Sequence, residues 1–222
     1  KVKRLTVGKR ASQPTVSPDG KWVAFTANDP PVRHISLLNL ENGEIKPLLV
    51  ADEVYSYSSP AWSPEGTTLA VVVERKRYGR RIELVDLESG SQKPLTGWWW
   101  EEGEPSWDPS GRYLVFTAQA DGEVNLYAFD LVEQEVRLLA PGVRGGVVSP
   151  DGKELAFIGL SAQGQDIYLA DFNPLAGEAV APPTLGAPRS VQELPTVEAK
   201  ASSYRPWPSL RPYYWLPMFQ SD

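Results

Sequence analysis

The sequence predicts an all-β protein, a β-propeller of four-stranded antiparallel blades in which four repeats are visible. The first observation is a Pro- and Gly-containing phrase that returns as SPDG from Ser17, SPEG from Ser63, DPSG from Asp108 and SPDG from Ser149. These phrases begin 46, 45 and 41 residues apart, which fits a propeller blade of about 40 to 50 residues. The second observation is that the segments after the phrases share apolar columns with a period of two, as β-strands do.

The composition of this phrase predicts a tight turn and not a repeated active-site motif. Pro fixes φ near the value that the second position of a turn requires, Ser or Asp can bond its own backbone, and Gly accepts a positive φ. Every part of the phrase therefore has a local structural role. We expect it to reverse the chain between the first and second strands of each blade.

The second strand of each blade follows its turn directly, in KWVAFTA, TTLAVVV, RYLVFTA and KELAFIG. Two apolar columns run through these segments, namely Val23, Leu69, Leu114 and Leu155 in one, and Phe25, Val71, Phe116 and Phe157 in the other. Val and Phe also favour strands by propensity. We expect these columns to pack between neighbouring blades.

The remaining strands repeat in the same order. Third strands are predicted in HISLLNL, RIELVDL, NLYAFDL and DIYLADF. The second-last residue of each segment is polar and stands where the next turn is expected: Asn39, Asp86, Asp130 and Asp171. EIKPLLV, SQKPLTG and EVRLLAP are predicted outer strands, because Pro within a sheet is confined to edges. Short inner strands, QPTV, SPAW, EPSW and GGVV, precede the turn phrases. The repeats thus lie near 13–50, 58–96, 104–140 and 145–181, within a propeller region of residues 1–181.

PTVSPDGKWVAFTA and its three partners resemble the WD40-like repeats of TolB-type propellers, which the propeller domains of prolyl-oligopeptidase-family peptidases share. This resemblance implies a location in the periplasm or cell envelope and a propeller that usually has six blades. Residues 1–6 match the predicted outer strands, so they resemble the last strand of a preceding blade. There are two alternatives: residues 1–6 close a four-bladed ring, or the chain is part of a larger propeller. We favour the larger propeller, because the apolar faces of the first and last blades of an open array must be covered. Self-association is one way to cover them.

Residues 182–222 differ in composition and are predicted to be a Pro-rich linker followed by an aromatic tail. Frequent Pro excludes a helix there and favours polyproline II. One alternative is that the tail packs back on the propeller. The other rests on PSLRPYYWLP, which resembles the segment that joins a WD40-like propeller to a C-terminal outer-membrane barrel of the surface-antigen type. Proximity to a membrane is then expected through Trp207, Tyr213, Tyr214 and Trp215, since Trp and Tyr favour the membrane interface.

Few residues in this chain are suited to catalysis or metal binding. It has no Cys and one His, His34, which we interpret as a strand-end residue, so no catalytic residue, metal site or cofactor is predicted. GLSAQ, from Gly159, has Gln163 where a nucleophile elbow requires Gly. A net charge of −6 and a pI near 5.0 argue against nucleic acid as a partner. We predict that the protein is not an enzyme.

Two neighbouring loops are the candidate partner-binding site. ERKRYGRR contributes Arg75, Arg77, Tyr78 and Arg80, and GWWWEEGEPSW contributes Trp98, Trp99 and Trp100. Trp, Tyr and Arg are the residues that dominate interface energetics, so a protein or peptide partner is predicted. The alternative is that both loops are solvated, with the basic residues paired with Glu101, Glu102 or Glu104. The Trp side chains would then pack between blades.

The resulting functional hypothesis is a non-catalytic β-propeller interaction module of a bacterial cell-envelope protein. One alternative is the accessory propeller domain of a prolyl-oligopeptidase-family serine peptidase. Another is a carbohydrate- or small-ligand-binding propeller that uses the same Trp residues.

Overall fold

The computed structural model describes residues 2–97, 101–120, 122–161 and 164–180, all within the unit formed by Lys1–Gly186. These residues form four antiparallel sheets, which we call blades 1 to 4 in chain order. The predicted fold class, an all-β propeller, is confirmed. In the part of the chain described, no helix has the length and apolar character needed to cross a membrane.

Blades 1 and 2 each have four strands in sequence order, as predicted. The order is β1-β2-β3-β4 in blade 1 and β5-β6-β7-β8 in blade 2. Their strands are β1 (Ala11–Val16), β2 (Trp22–Asp29), β3 (Val32–Asn39), β4 (Ile45–Leu49), β5 (Tyr55–Trp62), β6 (Thr68–Arg75), β7 (Gly79–Asp86) and β8 (Gln92–Pro94).

Blade 3 has one strand more than the predicted four, and blade 4 has one strand fewer. Blade 3 has the order β16-β12-β11-β10-β9, and blade 4 has only β13-β14-β15. Their strands are β9 (Gly103–Trp107), β10 (Tyr113–Ala120), β11 (Glu123–Asp130), β12 (Glu135–Pro141), β13 (Val143–Val148), β14 (Glu154–Ser161), β15 (Gly164–Asp171) and β16 (Glu178–Val180).

The difference comes from the segment that follows β15, where the repeat pattern would place the outer strand of blade 4. A short 3₁₀ turn, Pro174–Ala176, redirects the chain, and β16 pairs with β12 of blade 3. Gly177 makes this crossing possible, because a Cβ there would lie 2.5 Å from the Leu138 carbonyl oxygen. Val180 then packs against the cluster that contains Val136. β15 is left with β14 as its one strand partner among the described residues.

The four turn phrases act as structural turns. In the first, the Gly20 N–H donates to the Ser17 carbonyl at 2.9 Å, and the Ser17 hydroxyl accepts the Trp22 N–H at 2.9 Å while donating to Asp19 at 2.6 Å. The equivalent Gly-to-first-residue bond recurs at Gly66, Gly111 and Gly152. All four Gly residues have φ between +70° and +74°, a conformation in which a Cβ is unfavourable.

Apolar clusters between neighbouring blades form the core. One cluster joins blades 1 and 2, a second joins blades 2 and 3, and a third joins blades 3 and 4. Three members of the predicted second-strand column lie in these clusters, since Leu69 and Leu114 are fully buried and Leu155 nearly so. The fourth member, Val23, is half-buried and belongs to none of the three clusters. Residues 2–6 lie outside these clusters, are largely exposed and form no strand.

Each inner strand carries a bulge four residues before its turn phrase. Gln13, Ser59 and Glu104 have φ near +50° and Gly145 has φ +66°, and the ladder register shifts at the bulge in every blade. A bulge bends and twists the strand locally. The inner strands are therefore bent at the same level in all four blades.

Indole groups link the inner strands of neighbouring blades. Trp62 Nε1 donates to the Thr15 carbonyl at 3.2 Å, and Trp107 Nε1 donates to the Ala61 carbonyl at 3.1 Å. The two bonds occupy equivalent places in successive repeats. They fix the spacing of blades 1, 2 and 3 at the turn end of the inner strands.

The tightest interblade contact predicts a large effect for a single methyl group. A Cβ at Gly146 would lie 2.8 Å from side-chain atoms of both Leu126 and Val115, which are fully buried. Gly146→Ala is expected to lower the free energy of unfolding by about 1 to 3 kcal/mol through overpacking, as measured by urea titration. The control is Gly103→Ala, whose Cβ would meet no atom within 4 Å. Equal stability of the two variants would contradict the proposed close packing of blades 3 and 4.

Candidate functional site

The basic hairpin, residues 75–80, joins β6 to β7 as the sequence indicated. Arg75 pairs with Gly79 in the ladder, and the Tyr78 N–H closes the turn on the Arg75 carbonyl at 2.9 Å. Arg77 occupies the left-handed region with φ +73°. Arg77 and Arg80 are exposed, so both cations are presented to solvent at this end of blade 2.

Arg75 has a different role from the other two Arg residues. Its guanidinium lies 4.1 Å from the ring centroid of Tyr78 and 5.9 Å from that of Tyr55, within the range of cation–π attraction. Its Nε atom is buried and has no hydrogen-bond partner among the described residues. The hairpin is also tied to the preceding interblade loop, where the Lys76 N–H donates to the Val54 carbonyl at 2.9 Å. Arg75 therefore holds the aromatic rings, and Arg77 and Arg80 are the accessible charges.

Arg80 connects the basic hairpin to the tryptophan loop, residues 95–102, which joins β8 to β9. Its Nε donates to a Glu101 carboxylate oxygen at 2.8 Å, with both side chains close to half exposed. Its carbonyl accepts the Glu102 N–H at 3.1 Å. The pairing between basic and acidic loops that the sequence left open is thus present at Arg80.

Glu102 is a buried carboxylate, which corrects the expectation that the loop acids are solvated. Its side chain accepts the Ile82 N–H at 2.8 Å and the Thr96 hydroxyl, and the residue is fully buried. Burial raises the pKa of Glu102 to about 7, against the smaller lowering effect of these two hydrogen bonds. No sequence pattern distinguishes this residue, because Glu101 and Glu102 are adjacent and chemically identical.

The carboxylate of Glu102 replaces a backbone acceptor at the point where the β7–β8 ladder ends. The Leu95 N–H still bonds to the Ile82 carbonyl at 2.9 Å, but the chain then leaves β7, and Glu102 supplies the acceptor for the Ile82 N–H. Both ends of the tryptophan loop are consequently fixed on β7. Trp98, Trp99 and Trp100 lie between these ends and outside the described residues.

His34 lies at the same end of blade 1 and has a structural role. Its Nδ1 accepts the Ala51 N–H at 2.8 Å, which ties β3 to the interblade loop. Next to it, Arg33 forms an ion pair with Glu74 of blade 2. Within the residues that the structure describes, no group of three or more His, Cys, Asp or Glu side chains is placed to hold a metal ion.

A depression of about 360 Å³ opens at the other end of the inner strands. Its walls include Pro18, Trp62, Pro64, Trp107 and Pro109, which come from the turn phrases and the strands before them. No sequence pattern predicted this depression, because each phrase by itself has the composition of an isolated turn. It lies at the turn end, whereas the basic hairpin and the tryptophan loop lie at the hairpin end.

Comparison with known proteins identifies one family. The family model described as the TolB beta propeller domain matches residues 4–181. The Tol-Pal system protein TolB of Anaeromyxobacter sp. (strain K) is 30% identical, over 55% of this chain and 29% of the relative. The "Uncharacterized peptidase YuxL" of Bacillus subtilis (strain 168) is 28% identical, over 50% of this chain and 22% of the relative.

Among solved structures, the crystal structure of TolB from Acinetobacter baumannii superimposes with a TM-score of 0.65 at 20% identity. The match covers 76% of this chain and 42% of the TolB chain, and at this identity it supports the fold alone. The chain spans less than half the length of each of these three proteins.

The buried carboxylate predicts a specific dependence of stability on pH. The pKa of Glu102 is about 7 in the folded state against 4.5 ordinarily, so folding favours its protonated form. The contribution of Glu102 to stability is therefore greatest below pH 4.5 and falls by about 3 kcal/mol as the pH rises to 7 and above. Glu102→Gln, a neutral isostere, is expected to remove this fall, as measured by urea unfolding at pH 5 and pH 8.

The matched control for this prediction is Glu101→Gln, which changes the exposed neighbour and is expected to retain the wild-type pH dependence. A Glu102→Gln variant that loses as much stability as the wild type between pH 5 and pH 8 would show that Glu102 does not cause the loss.

Proposed function

The chain belongs to the TolB beta propeller domain family, and from this premise we propose that it is a non-catalytic protein-interaction module of a bacterial cell-envelope protein. The match to the family model over residues 4–181 supports the propeller module. The similarity to Tol-Pal system proteins TolB supports a location in the periplasm or cell envelope. In this proposal the propeller contributes a binding surface and no reacting groups.

We propose that the binding surface consists of the basic hairpin and the tryptophan loop. The observation that carries this proposal is their attachment to the same strand, β7, through the bonds of Arg80 to Glu101 and Glu102. In the sequence, Trp98–Trp100 directly precede Glu101, which pairs with Arg80, and this supports a surface that combines basic and aromatic groups. Trp and Arg are enriched among the residues that dominate interface energetics. A protein or peptide with acidic and apolar groups matches such a surface.

The position of this surface on blade 2 also favours binding. Backbone hydrogen bonds hold both ends of the tryptophan loop on β7, and the Arg75 guanidinium contacts Tyr78 at the base of the hairpin. A loop with fixed ends loses less conformational entropy on binding than an unrestrained loop. The basic hairpin and the two ends of the tryptophan loop are therefore held in place before a partner arrives.

The second candidate is the accessory propeller of a serine peptidase, which the similarity to the Bacillus subtilis protein favours. The coding sequence next to this chain discriminates between the two candidates. Segments of alternating apolar and polar residues, as in an outer-membrane barrel, favour the first. A G-x-S-x-G elbow followed by Asp and His favours the peptidase.

Substitution of the two accessible Arg residues tests the proposed surface. Arg77→Asn together with Arg80→Gln is expected to weaken binding of a peptide selected on the wild-type protein by phage display, by about tenfold at low salt. The difference is expected to shrink between about 50 and 500 mM NaCl, because salt screens exposed charges. Fluorescence anisotropy of the labelled peptide gives the dissociation constants. The melting temperature is expected to change little, since both side chains are exposed.

The matched control removes two exposed Lys residues next to turn phrases, Lys21→Gln and Lys153→Gln, and is expected to leave peptide affinity unchanged. Equal affinities for the Arg variant and the wild type at every salt concentration would exclude this surface. A glycan array with Trp99→Ala as a control tests the carbohydrate alternative, since sugar binding that Trp99→Ala abolishes would favour a lectin-like module.

A further inference from the structure

The depression at the turn end is built from equivalent positions of three successive repeats. Its walls contain the Pro residue of each turn phrase in blades 1 to 3, which are Pro18, Pro64 and Pro109. They also contain the indoles that precede the second and third phrases, Trp62 and Trp107. Its volume of about 360 Å³ lies within the range of ligand sites, about 300 to 1,000 Å³. The depression is therefore large enough to hold part of a ligand.

Contacts between neighbouring turn phrases hold the rim of the depression in place. The Pro18 ring lies against the turn of blade 2, since its Cδ would be 3.5 Å from a Cβ at Gly66. Glu65 reaches from that turn to the turn of blade 3, since its carboxylate oxygens would be 2.7 and 3.1 Å from a Cβ at Gly111. A rim fixed in this way needs little ordering when a ligand binds, which lowers the entropic cost of binding.

The walls of the depression offer few hydrogen-bond donors. An indole has one N–H donor, and those of Trp62 and Trp107 are already bound to the Thr15 and Ala61 carbonyls. Pro has no N–H, and five of the described wall residues are Pro: Pro18, Pro60, Pro64, Pro105 and Pro109. Hydroxyl groups such as that of Ser106 can donate or accept. A ligand that brings its own donors is therefore matched better than one that depends on accepting hydrogen bonds.

Carboxylates without cationic partners surround the depression. Asp108 is part of its wall, and Asp19 and Glu65 directly follow the wall residues Pro18 and Pro64. None of these three acids forms an ion pair with a described residue. Their negative charge is consequently available to a ligand.

The cations closest in sequence leave an excess of negative charge at this rim. The Ser17 hydroxyl and the Lys21 N–H donate to Asp19 at 2.6 and 3.0 Å, and both bonds lower the pKa of its carboxyl. Arg112, after the third phrase, donates to both carboxylate oxygens of Asp130 and is neutralised there. Lys21 is exposed and offsets one of the three carboxylates. The charge of the rim therefore favours a cationic ligand.

A guanidinium group matches each of these properties. It has five N–H donors and no acceptor, it pairs with carboxylates, and its planar face stacks on indole rings. An ammonium group supplies the charge but has no planar face. An acidic peptide would be repelled by the carboxylates. The depression therefore selects a ligand that carries Arg side chains.

We propose that the depression at the turn end binds a basic peptide segment of a partner protein, with an Arg side chain against the Trp62 and Trp107 indoles. The carboxylates of Asp19, Glu65 and Asp108 balance its charge. This surface is separate from the basic hairpin and the tryptophan loop, which lie at the hairpin end and suit acidic groups. The two ends of the inner strands therefore select partners of opposite charge.

The first test locates a defined probe on the full chain by NMR. A peptide of alternating Gly and Arg is expected to shift the indole N–H resonances of Trp62 and Trp107, which Trp62→Phe and Trp107→Phe variants assign. The amides of the basic hairpin are expected to stay unshifted. The same peptide with Lys in place of Arg is expected to bind at least about threefold more weakly, because an ammonium group does not stack on indole.

Three results of this test would overturn the proposal. Shifts confined to residues outside the depression would place the peptide elsewhere on the molecule. Absence of binding up to about 1 mM peptide would mean that the depression is closed to such a ligand. Equal affinities of the Arg and Lys peptides would exclude stacking on the indoles.

The second test separates the depression from the overall negative charge of the chain. Asp19→Asn with Glu65→Gln is expected to weaken binding of the labelled Arg peptide at least about fivefold at low salt, as measured by fluorescence anisotropy. Glu65→Gln alone, at an exposed position, is expected to weaken it about twofold. The matched control, Glu41→Gln with Glu88→Gln, removes two exposed carboxylates from the outer turns of blades 1 and 2. Its affinity is expected to equal that of the wild type.

Equal losses of affinity in the two double variants would show that the peptide responds to bulk charge and not to the depression. Wild-type affinity in the Asp19→Asn and Glu65→Gln double variant would exclude the rim carboxylates. Either result would refute the proposed site.

Discussion

The structure depends on one constraint, which is that each sheet must bury its apolar faces against the sheets beside it. In blade 2, Val71, Val72 and Val73 are consecutive and all buried, so both faces of β6 are covered, by blade 1 on one side and blade 3 on the other. The turn phrases, the bulges at equivalent places and the indole bonds of Trp62 and Trp107 maintain the spacing that this burial requires. Among the described residues no sheet covers the outward side of blade 4, and apolar side chains such as Ile167 are exposed there.

The candidate interaction surface arises where the ladder of blade 2 ends. Pro94 is the last residue of β8 and brings no N–H to a ladder, and the chain leaves β7 after Leu95. The carboxylate of Glu102 then bonds the Ile82 N–H, which fixes the return of the loop at the cost of burying an ionisable group. Loops held in this way by a rigid sheet can vary in sequence without disturbing the core, which is why binding residues concentrate on them.

Much of the fold could be predicted from the sequence because its determinants are local and repeated. The turn phrases reflect local φ preferences, and the column that contains Leu69 and Leu114 reflects period-two burial, and neither depends on distant residues. The pairing of β16 with β12 and the burial of Glu102 could not be predicted in this way, since both depend on which segment happens to lie alongside. The tryptophan side chains and residues 182–222 lie outside the described part of the chain, so their predicted roles stay predictions.

Native-state hydrogen exchange tests the central role of interblade burial most directly. If burial between blades holds the fold together, amides of β6 and β10, whose sheets are covered on both faces, exchange slowest, and exchange accelerates through β14 to β15. Protection in β15 equal to that in β10 would contradict this account, because the two strands have the same length and differ in interblade burial and in edge position.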